Sequence, residues 1–255
     1  MPQDGQQGGE AGSLVALRGV SKRAGMVQVL HEIDLDLAHG EVIAVLGPSG
    51  AGKSTLCRAI TGLERIDSGT ITMDGQPLPR RRRGLARVRA DIGVVVQSIN
   101  LFDYRTVLQN VTFGQARVRW QAAAEAERRA LALLERVGIA EHAARYPWEL
   151  SGGQQERVAI ARALAAGPRL MLFDEPTRAA APPTADDMPT VLRSLAADGV
   201  ATLVATRDAA FARSAADRVV FMSGGRIIEQ GPPEEFFTMP RTARARDFLA
   251  GGSGG

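Results

Sequence analysis

The reading turns on Gly47-Pro48-Ser49-Gly50-Ala51-Gly52-Lys53-Ser54-Thr55. An apolar, β-rich run, Val42 to Leu46, leads into it, and a helical run, Thr55 to Ile60, follows. The pattern G-x-x-x-x-G-K-[ST] between a strand and a helix describes a loop that cradles phosphate. Its glycines let backbone N–H groups turn inward around an anion, and the helix N-terminus adds its positive end. Lys53 supplies a point charge for β- and γ-phosphates, and the Ser54 hydroxyl is a ligand for Mg²⁺. The pattern arises by chance in roughly one chain of this length in a hundred. Its strand–helix setting lowers that further, so a Gly-rich turn that binds nothing is the weaker reading.

Composition sets the bounds. A chain of 255 residues with 45% hydrophobic content can bury a substantial core as one large or two small domains. No apolar run approaches the ~18 residues that suggest a membrane span, and no signal peptide is expected at the start. The Gly/Gln-rich residues 1–13 are expected to form a disordered tail, and residues 250–255 a flexible one. A net charge of +3 is too weak to argue for nucleic acid. The single cysteine, Cys57, excludes an internal disulfide and suits a reducing compartment; its place after the phosphate loop predicts inert packing.

Strands are expected at Leu14–Val20, Val27–Leu37, Ser68–Gly75, Leu170–Phe173, Ala201–Ala205 and Arg218–Met222, with Ile92–Val96 a further buried strand. Pro79-Arg80-Arg81-Arg82-Arg83 reads as a solvated loop face, with an acidic lipid or protein surface as the minor alternative. From about Thr106 to Gly167 the pattern turns helical, and Gln121–Val137 is amphipathic with Leu131, Leu134 and Val137 on one stripe. Leu150-Ser151-Gly152-Gly153-Gln154 opens a helix to Ala166, and an alanine-rich helix lies between Asp187 and Ala197. Strand–helix alternation predicts an α/β fold with a mostly parallel sheet and a helical insertion. Asp174 and Glu175 follow the Leu170–Phe173 strand, at the carboxyl end where open α/β sheets bind ligands. There Asp174 can hold Mg²⁺ through water, and Glu175 can serve as base for an attacking water.

Together these residues resemble the ATP-binding subunit of an ABC transporter, over roughly Leu14 to Leu249. Leu150–Gln154 is close to diagnostic of that family; a bare phosphate loop is not. Gly93 to Gln97, Asn100-Leu101-Phe102, Tyr146-Pro147 and Ser151 to Leu164 are similar to the polar amino-acid importer branch. The resemblance implies a P-loop NTPase core with an N-terminal antiparallel β subdomain and a helical subdomain at about 100–167, the whole domain covering 14–249. It implies ATP and Mg²⁺ as ligands, bound by Gly47 to Thr55, with Ser54, Gln97 and Asp174 around the metal. It further implies a head-to-tail dimer, homo- or heterodimeric. In it Ser151, Gly152, Gly153 and Gln154 of one copy close over the nucleotide of the other. Membrane permease subunits are the implied direct partners and a substrate-binding protein an indirect one, at the cytoplasmic face of the membrane, with no nucleic acid involved.

Three departures from the family pattern carry expectations of their own. Ala24 stands where an aromatic normally stacks on adenine, a loss on the order of 1–3 kcal/mol by analogy with other base sites; Arg23 is the neighbour able to lie over the ring. Ala181 replaces an aspartate that normally communicates across the dimer. Arg207 replaces a histidine that contacts the γ-phosphate, keeping positive charge but losing an acceptor. Glu175 is retained. The expectation is weak Mg-ATP binding and slow or unmeasurable hydrolysis. The alternative is a non-hydrolysing subunit paired with an active homologue. DNA-repair and chromosome ATPases share the motifs but need a long heptad insertion, for which this chain has no room.

Overall fold

The computed structural model describes residues 12–96, 99–118, 123–176 and 188–251. The expected tails, Gln97 and the Thr177–Asp187 stretch containing Ala181 therefore lie wholly or mainly outside the described residues. In chain order the elements begin with β1 (Ser13–Ala24), β2 (Val27–Ala38), β3 (Val42–Leu46) and α1 (Lys53–Ile60). Next come β4 (Ser68–Met73), β5 (Gln76–Pro77), α2 (Arg82–Ala90) and β6 (Ile92–Val96). The helical stretch holds α3 (Val107–Val118), α4 (Ala123–Arg136), two single 3₁₀ turns (Ala140–His142 and Pro147–Glu149) and α5 (Gly152–Ala165). Then follow β7 (Leu170–Asp174), α6 (Met188–Ala197), β8 (Ala201–Thr206), α7 (Ala209–Ala215), β9 (Arg218–Ser223), β10 (Arg226–Gly231), α8 (Pro233–Thr238) and α9 (Ala243–Gly251).

These make a mixed α/β fold with two sheets. The first is antiparallel, in the order β2-β1-β4-β5. The second runs β10-β9-β3-β8-β7-β6, parallel except for β10 on β9. Strands β3, β7 and β8 are predominantly apolar because both faces are covered, with Thr202 and Thr206 the buried polar residues of β8. Ile43, Val45, Leu170, Leu172 and Leu203 point into a core shared with α1 and the antiparallel sheet. Met171, Phe173 and Val204 point the other way, against residues of α3 to α6. A third cluster joins Ala44 and Leu46 to Val219, Phe221, Phe236 and Ala245, seating the C-terminal helices.

Three expectations are corrected. Strand β6 is not buried on both sides: it ends the sheet, and Val94 and Val96 face outward, 37% and 39% exposed. On α4 the inward stripe is Ala126, Ala130 and Leu134, continuing to Val137, while Leu131 is 40% exposed. Positions 126, 130, 134 and 137 follow the 3.6-residue period, whereas 131 falls a step round the helix. Arg82 and Arg83 of the basic run open α2 rather than a loop, although Arg80 to Arg83 are exposed. Among the described residues no helix is long and apolar enough to cross a membrane.

Candidate functional site

Register brings the chemistry to one edge. Val45 of β3 pairs with Ala205 of β8, and Ala205 pairs with Asp174 of β7. The loop after β3, the Asp174-Glu175 pair and Arg207 therefore all leave the sheet at the same level. Ser49 to Thr55, Glu175, Arg207 and Val29 of β2 line a cavity of about 340 Å³ there. Gly47 and Pro48 bend the chain into it, and their carbonyls accept hydrogen bonds from Lys53 Nζ at 2.8 and 3.0 Å. Gly52, the residue before α1, has φ +99, and a Cβ there would lie 2.6 Å from the Val29 carbonyl. Glycine is required on both counts.

Lys53 is 4% exposed, yet its ammonium also lies 3.1 Å from Glu175 Oε1. A buried charge needs such partners. The other oxygen of the same carboxylate, Oε2, lies 3.6 Å from Arg207 Nε. Arg207 Nη1 also donates to Ser49 Oγ at 3.4 Å. The arginine thus folds over the phosphate loop instead of extending into solvent, although it remains 60% exposed. Glu175 has φ +51, a left-handed conformation uncommon outside glycine and characteristic of functional positions. Its N–H donates to the Ala205 carbonyl at 2.8 Å, which fixes it against β8.

Beside this group the Ser54 hydroxyl donates to Asp174 Oδ1 at 2.7 Å. Two hard oxygen donors at the mouth of a phosphate loop fit Mg²⁺, which takes one or two protein oxygens and completes its shell with phosphate and water. No set of three or more His, Cys, Asp or Glu side chains suited to a metal occurs among the described residues. Cys57 lies on the buried face of α1; burial, with the negative charge of Asp174, pushes its thiol well up from the usual range. It stays a protonated packing residue.

The Leu150–Gln154 turn stands apart. None of its residues lines the cavity. It sits at the head of α5, with Ser151 as N-cap and exposed. Ser151 N–H donates to Gln154 Oε1 at 2.9 Å, and Gln154 N–H donates to Ser151 Oγ at 3.3 Å, a reciprocal capping box. Gly152 and Gly153 follow in the first turn of the helix. An exposed helix N-terminus is suited to an anion.

At the β1–β2 hairpin, Ala24 pairs with Val27 and lies outside the cavity lining. Arg23 donates to the Met26 carbonyl at 3.4 Å and lines a separate polar cavity with Ser21, Gln28, His31 and Arg226. It does not lean over the phosphate loop. Sequence reasoning missed Val29, whose signal was only its place on the strand after the hairpin. It also missed Gly225, in the turn between β9 and β10. Gly225 N–H donates to the Ala51 carbonyl at 3.1 Å, and its carbonyl accepts from His31 N–H at 2.8 Å.

Known proteins resemble this chain over most of its length. A family model described as ABC transporter matches residues 30–178. The chain is 52% identical over 236 residues to the glutamate transport ATP-binding protein GluA of Corynebacterium glutamicum, covering 92% of this chain and 98% of that one. It is 47% identical over 231 residues to the glutamine transport ATP-binding protein GlnQ of Geobacillus stearothermophilus, covering 91% and 96%. Among solved structures, the dimeric post-hydrolysis state of the ATP-binding cassette MJ0796, bound to ADP and Pi, superposes with TM-score 0.78. It is 33% identical, and the match covers 86% of this chain and 98% of that one.

Proposed function

This chain belongs to the ABC transporter family, and from that premise we propose that it is the ATP-binding subunit of an importer for polar amino acids. The observation that carries the reading is the convergence of Lys53, Ser54 and Glu175 on one cavity at the carboxyl edge of the sheet, with Asp174 hydrogen-bonded to Ser54. The relatives named for glutamate and glutamine transport support the substrate class. Residues 14–249 form the nucleotide-binding domain, with 100–167 as its helical subdomain. Its partners are membrane permease subunits, reached at the cytoplasmic face, and through them a substrate-binding protein.

The triphosphate of ATP lies in the amide-lined bend from Gly47 to Thr55, with Lys53 on its β- and γ-phosphates. Ser54 and Asp174, with Gln97, would hold Mg²⁺, which neutralises charge on those phosphates when bound. Glu175 accepts a proton from the attacking water as it adds to the γ-phosphorus, and ADP leaves. Ser151, Gly152, Gly153 and Gln154 of a second copy close the site from outside. The dimeric MJ0796 cassette with ADP and Pi supports that pairing by analogy.

Hydrolysis is slow in this reading. Both oxygens of Glu175 face a cation, Oε1 toward Lys53 and Oε2 toward Arg207. Lys53 can transfer its contact to phosphate, but Arg207 has no acceptor with which to hold a water beside the carboxylate. Steady-state phosphate release, alongside ATP and ADP binding with and without the permease subunits, is the test. Release at ordinary rates for this family defeats the slow-hydrolysis part, and absence of nucleotide binding defeats the whole. A second reading, a non-hydrolysing subunit paired with an active homologue, is favoured by the intact Ser151 capping box beside a site that Arg207 encumbers. Co-purification with a second, complete ATP-binding subunit distinguishes the two.

A further inference from the structure

The 3₁₀ turn Ala140–His142 brings His142 against the signature turn. His142 Nε2 lies 2.8 Å from Gln154 Nε2. The orientation of the Gln154 amide is fixed from its other end, because Oε1 accepts the Ser151 N–H at 2.9 Å. Gln154 therefore presents an NH₂ group, which only donates, to the imidazole. His142 must accept on Nε2, so its proton sits on Nδ1. That nitrogen is buried and has no hydrogen-bond partner among the described residues. That tautomer gives the Gln154 NH₂ an acceptor, and the cation gives it none.

We propose that His142 is the positioning residue of the signature turn: its neutral ring holds the Gln154 amide so that Ser151 is presented to the partner's nucleotide, and protonation releases it. The proposal rests on the reading that Ser151 acts in trans. Once Nε2 carries a proton, two donors face each other across 2.8 Å. The carboxylate of Glu141 lies 3.6 Å from the same nitrogen and is placed to take the new N–H. Gln154 must then turn or withdraw, and the Ser151 N–H loses its acceptor.

The charged groups on the neighbouring elements are few. Arg145 donates its backbone N–H to the His142 carbonyl at 2.9 Å. Glu149 is engaged with the Tyr146 N–H. On α5, Arg157 reaches the Val137 carbonyl, and Glu156 is buried. Among the described residues, Glu141 is the acid whose carboxylate reaches the ring.

The test uses the full chain carrying Glu175→Gln, in which ATP-driven dimerisation can be followed without turnover. Between about pH 8 and about pH 6 the dimer should weaken roughly tenfold, the scale of one charge-assisted hydrogen bond. His142→Gln, a neutral side chain that can still accept, should remove that dependence; it also corrects for titration of the nucleotide itself. His142→Leu should be weak at both pH values. ¹⁵N NMR should show the Ser151 amide and the Gln154 side-chain amide shifting in step with protonation of His142. An unmoved Ser151 amide, or an unchanged pH dependence in His142→Gln, overturns the proposal. If Ser151→Ala leaves ATP-driven dimerisation intact, the trans reading itself fails, and the NMR shifts still decide whether the ring controls the turn.

Discussion

The ammonium of Lys53 and the carboxylate of Glu175 stand 3.1 Å apart, although 122 residues separate them in the chain. Pairing through β3, β8 and β7 is what brings them together. Their two losses should differ. Lys53→Ala removes a charged donor to phosphate and should weaken ATP binding by at least tenfold, from the usual worth of a charge-assisted hydrogen bond. Glu175→Gln removes the base and should abolish residual hydrolysis while leaving ATP binding within a few-fold of the parent. Equilibrium nucleotide titration beside phosphate release separates the two.

Arg207→His should increase hydrolysis by at least tenfold if the arginine is what occupies Glu175. A second substitution, Ala181→Asp, should add to the gain. Phosphate release measured at saturating ATP checks this, so that changes in affinity do not enter. No increase would place the defect elsewhere.

The corrected phase of α4 predicts unequal costs for two leucines three residues apart. Leu134 is fully buried, and Leu134→Ala should destabilise by about 2–5 kcal/mol. Leu131 is 40% exposed, and Leu131→Ala should fall within about 0.5 kcal/mol of the parent. Chemical denaturation with unchanged m-values is the measurement.

Glu229 ties α9 to β10. Desolvation pushes its carboxyl up, but this is outweighed by hydrogen bonds from the Arg241 N–H, the Thr242 N–H and the Thr242 hydroxyl, with the Arg241 charge adding to them. The net result is a carboxyl held below its ordinary value. A depressed carboxyl stabilises the fold above its unfolded-state value of about 4.3, and that contribution is lost as pH falls through the folded value. Acidification below about pH 4 should therefore loosen residues 241–251 first, seen as faster amide exchange there. Glu229→Gln should reduce the extra loosening on acidification.

Much of the fold was legible because its signals are local. Val42–Leu46 and Leu170–Phe173 are apolar enough to be read as buried strands, and the phosphate loop declares itself in nine residues. The outward faces of Val94 and Val96 were not legible, since an edge strand differs from a central one only in where its neighbours lie. Leu131 misled because two leucines and a valine at spacings of three, Leu131, Leu134 and Val137, imitate a stripe whose true members include small alanines. The C-terminal strand and helices escaped notice because they are held by distant partners, Phe221 on Phe236 and Glu229 on Thr242. At the site, the identities of Lys53, Glu175 and Arg207 were readable, but their mutual approach was not. The hold of His142 on Gln154 leaves no trace in spacing.

Gly225 gives the backbone of one residue two duties: its N–H donates to Ala51 in the phosphate loop and its carbonyl accepts from His31 in the antiparallel sheet. The two sheets are thereby stitched at the point where a nucleotide would span them. A tilt of one plate must drag the rim of the other. A displacement of the antiparallel sheet at His31 is carried to the phosphate loop at Ala51 through the backbone of Gly225.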